Sequence, residues 1–164
     1  MSDALYQNRF FRVIRKNGHF VVAENFECNG AVIAARDGDG NYILVDQLRK
    51  AIDAISLEFP RGAHDPGEKM SDTALRELLE ETGYAANDVE ELGVLHTNNS
   101  LLGSHVLLFC ASNSTQISTE TDGEVERVVK MSPKSLLDSV ASGKITDSHT
   151  LATIAYLLAR GLFY

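Results

Sequence analysis

The sequence predicts an α+β fold, a mixed β-sheet with helices on both faces, and three observations carry that expectation. Stretches of period-two apolar alternation fill the first third of the chain, one helical segment is embedded among later strand-like segments, and two more helical segments close it. Its 164 residues, 44% hydrophobic and 23% charged, are expected to form one domain over residues 1–164.

Taken in order, the first third of the chain is rich in Phe, Val and Ile, so residues 9–15, 19–26 and 31–35 read as strands. Asn17-Gly18 supplies the hairpin turn between the first two, so residues 1–28 read as an antiparallel strand extension. Asp37-Gly38-Asp39-Gly40-Asn41 resembles the start of a calcium loop, but Tyr42 and Leu48 stand where Gly and Glu are required, so a turn is expected. Residues 42–47 and 55–59 follow as strands and residues 60–67 as a loop. A helix is expected over 71–82, capped by Ser71 or Asp72 and stopped by Gly83. Strands over 89–96, 105–111 and 125–131 precede a helix that starts at Pro133, with Ser132 as its N-cap, and stops at Gly143. The last helix runs from about 147 to 160 and is expected to face the core with Leu151, Ile154, Ala155 and Leu158.

Fifteen basic against twenty-three acidic residues give a net charge of −8, which disfavours binding to nucleic acid or an anionic membrane. Apolar runs such as residues 106–110 are far too short to span a bilayer, and the first residues do not resemble a secretion signal, so a cytoplasmic location is expected. Cys28 and Cys110 lack metal-ligand spacing and read as reduced structural thiols.

Chemistry concentrates between residues 62 and 84. Four carboxylates, Glu68, Glu77, Glu80 and Glu81, fall within fourteen residues. At about 100° per helical residue, Glu77, Glu80 and Glu81 share one face and Leu75, Leu78 and Leu79 the other, which predicts a carboxylate cluster at the rim of a buried leucine face. Like charges at this spacing repel, and a hard divalent cation with oxygen ligands would offset the repulsion and let an acidic chain bind a pyrophosphate. The spacing is Gly62, five residues, Glu68, seven residues, then Arg76-Glu77-Leu78-Leu79-Glu80-Glu81-Thr82-Gly83-Tyr84. This is the Nudix box, and by it the sequence resembles the Nudix hydrolases.

That resemblance implies an αβα sandwich and cleavage of a pyrophosphate linkage in a nucleoside diphosphate derivative, with Mg²⁺ or Mn²⁺ as cofactor. Carried over, Glu77 and Glu81 are the principal metal ligands and Glu80 a further one. Glu68 ligates or orients through water, Arg76 holds the glutamates, and the carbonyl of Arg61 completes the coordination. A general base is expected on a later loop, at Glu120 or Glu124. Val45-Asp46-Gln47-Leu48-Arg49, Glu58-Phe59-Pro60-Arg61-Gly62 and residues 143–150 are similar to segments of the ADP-ribose and nucleotide-sugar pyrophosphatases. They imply substrate contacts by Arg49 and Glu58. Arg61 stands where that branch has Ala, and residues 95–104 hold no Pro where it has one. Dinucleoside polyphosphates, non-canonical nucleoside triphosphates and a non-catalytic sensor stay open as alternatives. Tyr6, Phe10, Phe11, Phe20 and Phe26 suit core packing, a stacked base or a homodimer built on the first strands. His64, His96, His105 and His149 show no mutual metal spacing and receive no catalytic role.

Overall fold

The computed structural model describes residues 4–24 and 28–164. Its main sheet is mixed, with central order β11-β5-β4-β10-β8. The strands are β4 (Cys28–Asp37), β5 (Tyr42–Arg49), β6 (Ala54–Glu58), β7 (Arg61–Gly62), β8 (Tyr84–Ala85), β9 (Glu90–Leu95), β10 (His105–Gln116) and β11 (Arg127–Met131). β4 and β10 run parallel, while β6, β7 and β9 pair antiparallel with β5, β4 and β10. Because successive strand residues point to opposite faces, β4 builds two cores at once. Val32 and Ala34 join Tyr42, Leu44, Leu108, Leu136, Ile154 and Leu157 on one side, whereas Ala31, Ile33 and Ala35 join Ile43, Ala74, Leu78 and Phe109 on the other. Each fully buried Leu or Ile here contributes about 1.5–3 kcal/mol relative to exposure.

Helix α1 (Met70–Thr82) covers the second face; α2 (Pro133–Ala141) and α3 (Ser148–Ala159) cover the first. The expected α+β architecture with helices on both faces is thus the observed one. Ser132 caps α2 by accepting from the Ser135 N–H, and Gly83 ends α1 at φ 72°, with its N–H on the Leu79 carbonyl. A side chain at Gly83 would also collide with the Ser118 carbonyl, which fixes glycine there twice over.

Several local expectations shift. The α1 N-cap is Lys69, without a side-chain hydrogen bond, rather than Ser71 or Asp72, because the Lys69 carbonyl already accepts from the Asp72 and Thr73 N–H groups and starts the helix earlier. The buried side of α1 is Thr73, Ala74, Glu77, Leu78, Glu81 and Thr82, and Leu79 is left 37% exposed. The expected all-leucine inner face is therefore rotated towards the glutamates. In α3 the buried residues are Thr150, Thr153, Ile154 and Leu157; Ala155 and Leu158 face out, because Asp147 N-caps the helix and draws Thr150 inward. The two-residue strands β7 and β8 are too short for alternation to reveal, and β10 extends five residues past its expected end, through a polar stretch whose Thr115 and Gln116 pair with β8.

The first strands form a separate antiparallel sheet: β1 (Ala4–Gln7), β2 (Phe11–Lys16) and β3 (His19–Glu24). Asn17 and Gly18 both have positive φ, which makes the two-residue hairpin turn anticipated for them. β1 escaped the sequence reading. The expected end of the β3 strand and Phe26 lie outside the described residues. The sheet touches the rest of the fold where Val22 bridges Leu102, and its Leu5, Tyr6, Phe10 and Phe20 are exposed.

Candidate active site

The site is built where β6, β7 and α1 converge. After Glu58 the chain turns through Phe59 and Pro60, whose carbonyl accepts from the Ile33 N–H, and β7 then lies along β4. Gly62 must be glycine for a direct reason: a Cβ there would fall 2.2–2.4 Å from the Glu77 carboxyl atoms. Glu77 is therefore pressed against the backbone of β7. One helical turn on, Glu81 accepts a hydrogen bond from the Arg61 N–H at 3.2 Å.

These two glutamates are buried, 8% and 4% exposed, and are not the solvent-facing rim that the helical wheel suggests. Burial pushes the Glu81 carboxyl up to about 8, helped by the negative charges of Glu77 and Asp122 and opposed by the Arg61 N–H and Arg49. Burial also raises Glu77, against the pull of Arg76.

The outer glutamates have a different environment. Arg76 reaches Glu68 through Nε (3.0 Å) and Nη2 (3.2 Å), Glu77 and Glu80 through Nη1 (2.7 and 3.0 Å), and the Ala63 carbonyl through Nη2 (2.9 Å). Glu68 also accepts from Thr73 Oγ1 and the Asp65 N–H. Arg76 above all, with these two donors, holds Glu68 down at about 2 against its partial desolvation. Glu80 remains exposed.

Beside this web lies a second knot. Glu58 is 1% exposed and carries two arginines, Arg49 (Nη2 at 2.5 Å) and Arg61 (Nε and Nη2 at 3.0 Å). Arg61 Nη2 also stands 3.7 Å from Asp147. The structure thus brings together Arg49, Glu58, Arg61, Glu68, Arg76, Glu77, Glu80 and Glu81. Glu120 and Glu124 are both exposed, with only main-chain hydrogen bonds, Glu120 N–H to Ser118 and Glu124 N–H to Asp122. The acid of that loop whose charge bears on Glu77 and Glu81 is Asp122, tied to α1 through its N–H to the Glu80 carbonyl. Sequence reasoning missed Asp122; its signal was the Asp122-Gly123 turn, which marks a loop reversal but not its destination.

Among the described residues, no group of three or more His, Cys, Asp or Glu stands ready to hold a metal ion by itself. The donor set still suits a hard cation of the Mg²⁺ kind, which takes one or two carboxylates and fills its remaining positions with water and phosphate oxygens. Glu77 and Glu81 are two buried, mutually repelling carboxylates whose ionised forms burial disfavours, and a divalent cation would relieve both penalties.

Comparison with known proteins agrees with this geometry. The family model for the NUDIX domain matches residues 28–152. The chain is 32% identical to the ADP-ribose pyrophosphatase of Bacillus subtilis (strain 168) over 130 residues, covering 77% of this chain and 70% of that one. It is 27% identical to the GDP-mannose pyrophosphatase of Cronobacter sakazakii over 172 residues, covering 95% and 88%. A solved structure described as an ADP compounds hydrolase superposes with a TM-score of 0.77 at 23% identity, covering 99% of this chain and 94% of that one, which shows the shared fold. With the box at Gly62–Tyr84 folded onto β7 and the family match spanning both halves of the sheet, the chain belongs to the NUDIX domain family and is a Nudix hydrolase.

Proposed function

We propose that this protein is a divalent-metal-dependent pyrophosphatase that cleaves the diphosphate of a nucleoside diphosphate sugar such as ADP-ribose, giving a nucleoside monophosphate and a sugar phosphate. The observation that carries this reading is the buried pair Glu77 and Glu81 packed on the backbone of Arg61 and Gly62. Similarity to pyrophosphatases of ADP-ribose and GDP-mannose supports the substrate class. When bound, Mg²⁺ or Mn²⁺ supplies charge neutralisation for the diphosphate and a lowered pKa for attacking water.

The chain's own residues do the rest. Glu77 and Glu81 would hold the cation, with the Arg61 carbonyl and, at the edge, Glu80. Arg76 fixes Glu68, Glu77 and Glu80 in one arrangement, so that Glu68 orients its neighbours through Arg76 and water. Arg49 and Glu58 form the rigid wall that the substrate meets. A carboxylate on the loop after β10 takes the proton of the attacking water; Glu120 or Glu124 is the family-based assignment, and the charge of Asp122 on Glu77 and Glu81 favours Asp122 as the second reading.

The test is product release from ADP-ribose, other nucleotide sugars, dinucleoside polyphosphates and nucleoside triphosphates with Mg²⁺, by a coupled phosphatase. Preference for nucleotide sugars is the expected result; preference for a triphosphate moves the substrate assignment, and binding without turnover makes the protein a sensor. For assembly we propose a homodimer through the first sheet, whose Leu5 and Phe20 are 60% and 61% exposed. Light scattering should give twice the 18.0 kDa chain mass. In the same proposal residues 1–28 are an extension of a single domain, and the negative net charge leaves nucleic acids and membranes outside its partners. No helix of the described residues is long and apolar enough to cross a membrane.

A further inference from the structure

A cavity of about 340 Å³ opens beside Gly62 and Ala63, between the end of β3, the start of β10 and the first turn of α3. Val32 and Val106 give it apolar lining, and Glu24, Arg61 and His149 contribute charge and polarity. Ligand cavities run from about 300 to 1,000 Å³, so this one suits a single ring rather than a whole dinucleotide.

Its polar groups have a definite hydrogen-bonding sense. Glu24 is held at the wall by Asn29 Nδ2 at 2.9 Å and by the Ser104 hydroxyl, and a carboxylate only accepts. His149 Nδ1 lies 3.3 Å from Asp147 Oδ1. Asp147 is itself an acceptor: its Oδ2 takes the Thr150 N–H at 2.8 Å and the Thr150 hydroxyl at 2.9 Å as the cap of α3. With Nδ1 engaged by Asp147, Nε2 is the ring nitrogen left for a ligand. The arginine of the wall, Arg61, is already shared between Glu58 and Asp147. A fixed carboxylate, an oriented imidazole and an arginine already committed to two acids suit a ligand that presents hydroxyl groups, which both donate and accept.

We propose that His149, held in orientation by Asp147, is a specificity-determining residue that hydrogen-bonds a hydroxyl of the distal sugar, Glu24 taking a second hydroxyl across the cavity. This rests on the nucleotide-sugar pyrophosphatase reading and names which end of the substrate the cavity takes.

The test uses two uncleavable probes, the α,β-methylene analogues of ADP-ribose and of ADP, titrated by calorimetry with Mg²⁺ into the full chain and into H149N, whose amide keeps a donor for Asp147. The native protein should bind the ribose-bearing probe about five- to tenfold more tightly, and H149N should erase that gap without changing the melting temperature or the affinity for methylene-ADP. H149S serves the same purpose if H149N does not fold. Turnover of ADP-ribose should show a raised KM with kcat within about twofold. An unchanged gap in H149N, or equal weakening of both probes, would overturn the assignment while leaving the pyrophosphatase reading intact. Probe binding with the expected gap but no turnover of ADP-ribose would sink the pyrophosphatase reading and keep the cavity assignment; absence of any probe binding would overturn both.

Discussion

The inner and outer glutamates of α1 and its approach have the same chemistry in the sequence and opposite circumstances in the fold. Glu77 and Glu81 face β7, lose water, and have their ionised forms disfavoured. Glu68 and Glu80 face Arg76, and Glu68 is held ionised down to about pH 2. The difference lies in one helical step of orientation and in one arginine. It teaches that one spacing can build two environments: Arg76 serves Glu68, Glu80 and, from one side, Glu77, while Glu81 is buried and accepts from the Arg61 main-chain N–H rather than from a guanidinium.

The largest expected effect is on the inner pair. E81Q should lower kcat by about 10³-fold, the equivalent of several kcal/mol of transition-state charge stabilisation, and should leave the fold intact because Gln has the same volume. If turnover survived in E81Q, the inner pair would not be the metal site. Next comes the loop acid that bears on it. D122N and E124Q should be compared side by side: loss of a general base costs about 10²–10⁴-fold, and the loss should fall on Asp122 if proximity to the inner pair decides the role. The opposite order would return the base to Glu124.

R76A tests the outer web. It strips Glu68 and Glu80 of their cation and releases Glu77, so activity and metal affinity should fall by about 10–100-fold, with a lower melting temperature as the four acids repel one another. An effect confined to the melting temperature would make Arg76 merely structural. The smallest effect is on the pH dependence of the metal-free protein. Glu81 has a folded pKa of about 8 against an ordinary value of 4.5, so the folded state binds its proton more tightly. The associated stability is fully present below pH 4.5 and is lost as pH rises through 8. Melting in EDTA from pH 5 to pH 9 should show this decline, and E81Q should flatten it.

Much of the fold was legible because a strand that feeds two cores is a continuous apolar run, as in residues 31–35, and because Ser132 and Gly83 are strong punctuation. β7 and β8 were not legible, since two residues carry no period. The α3 stripe was misjudged because Thr150 and Thr153 are buried by hydrogen bonds, to Asp147 and the Phe59 N–H and to the His149 carbonyl, rather than by hydrophobicity. In the site, residues bound to the box by fixed spacing were all found, while Asp122, Asp147 and His149 arrive from distant segments and were missed or left without a role.

By itself the sequence determined the family and the positions of the box carboxylates and arginine, because their spacing is a property of one loop and one helix. Only the tertiary structure decided which glutamates are dry and which are paired, because that depends on how β7 presses Gly62 against α1. It likewise decided that Arg61 spends its charge on Glu58 and Asp147 at the edge of the neighbouring cavity; that pairing joins segments some ninety residues apart in the chain, which no local pattern records.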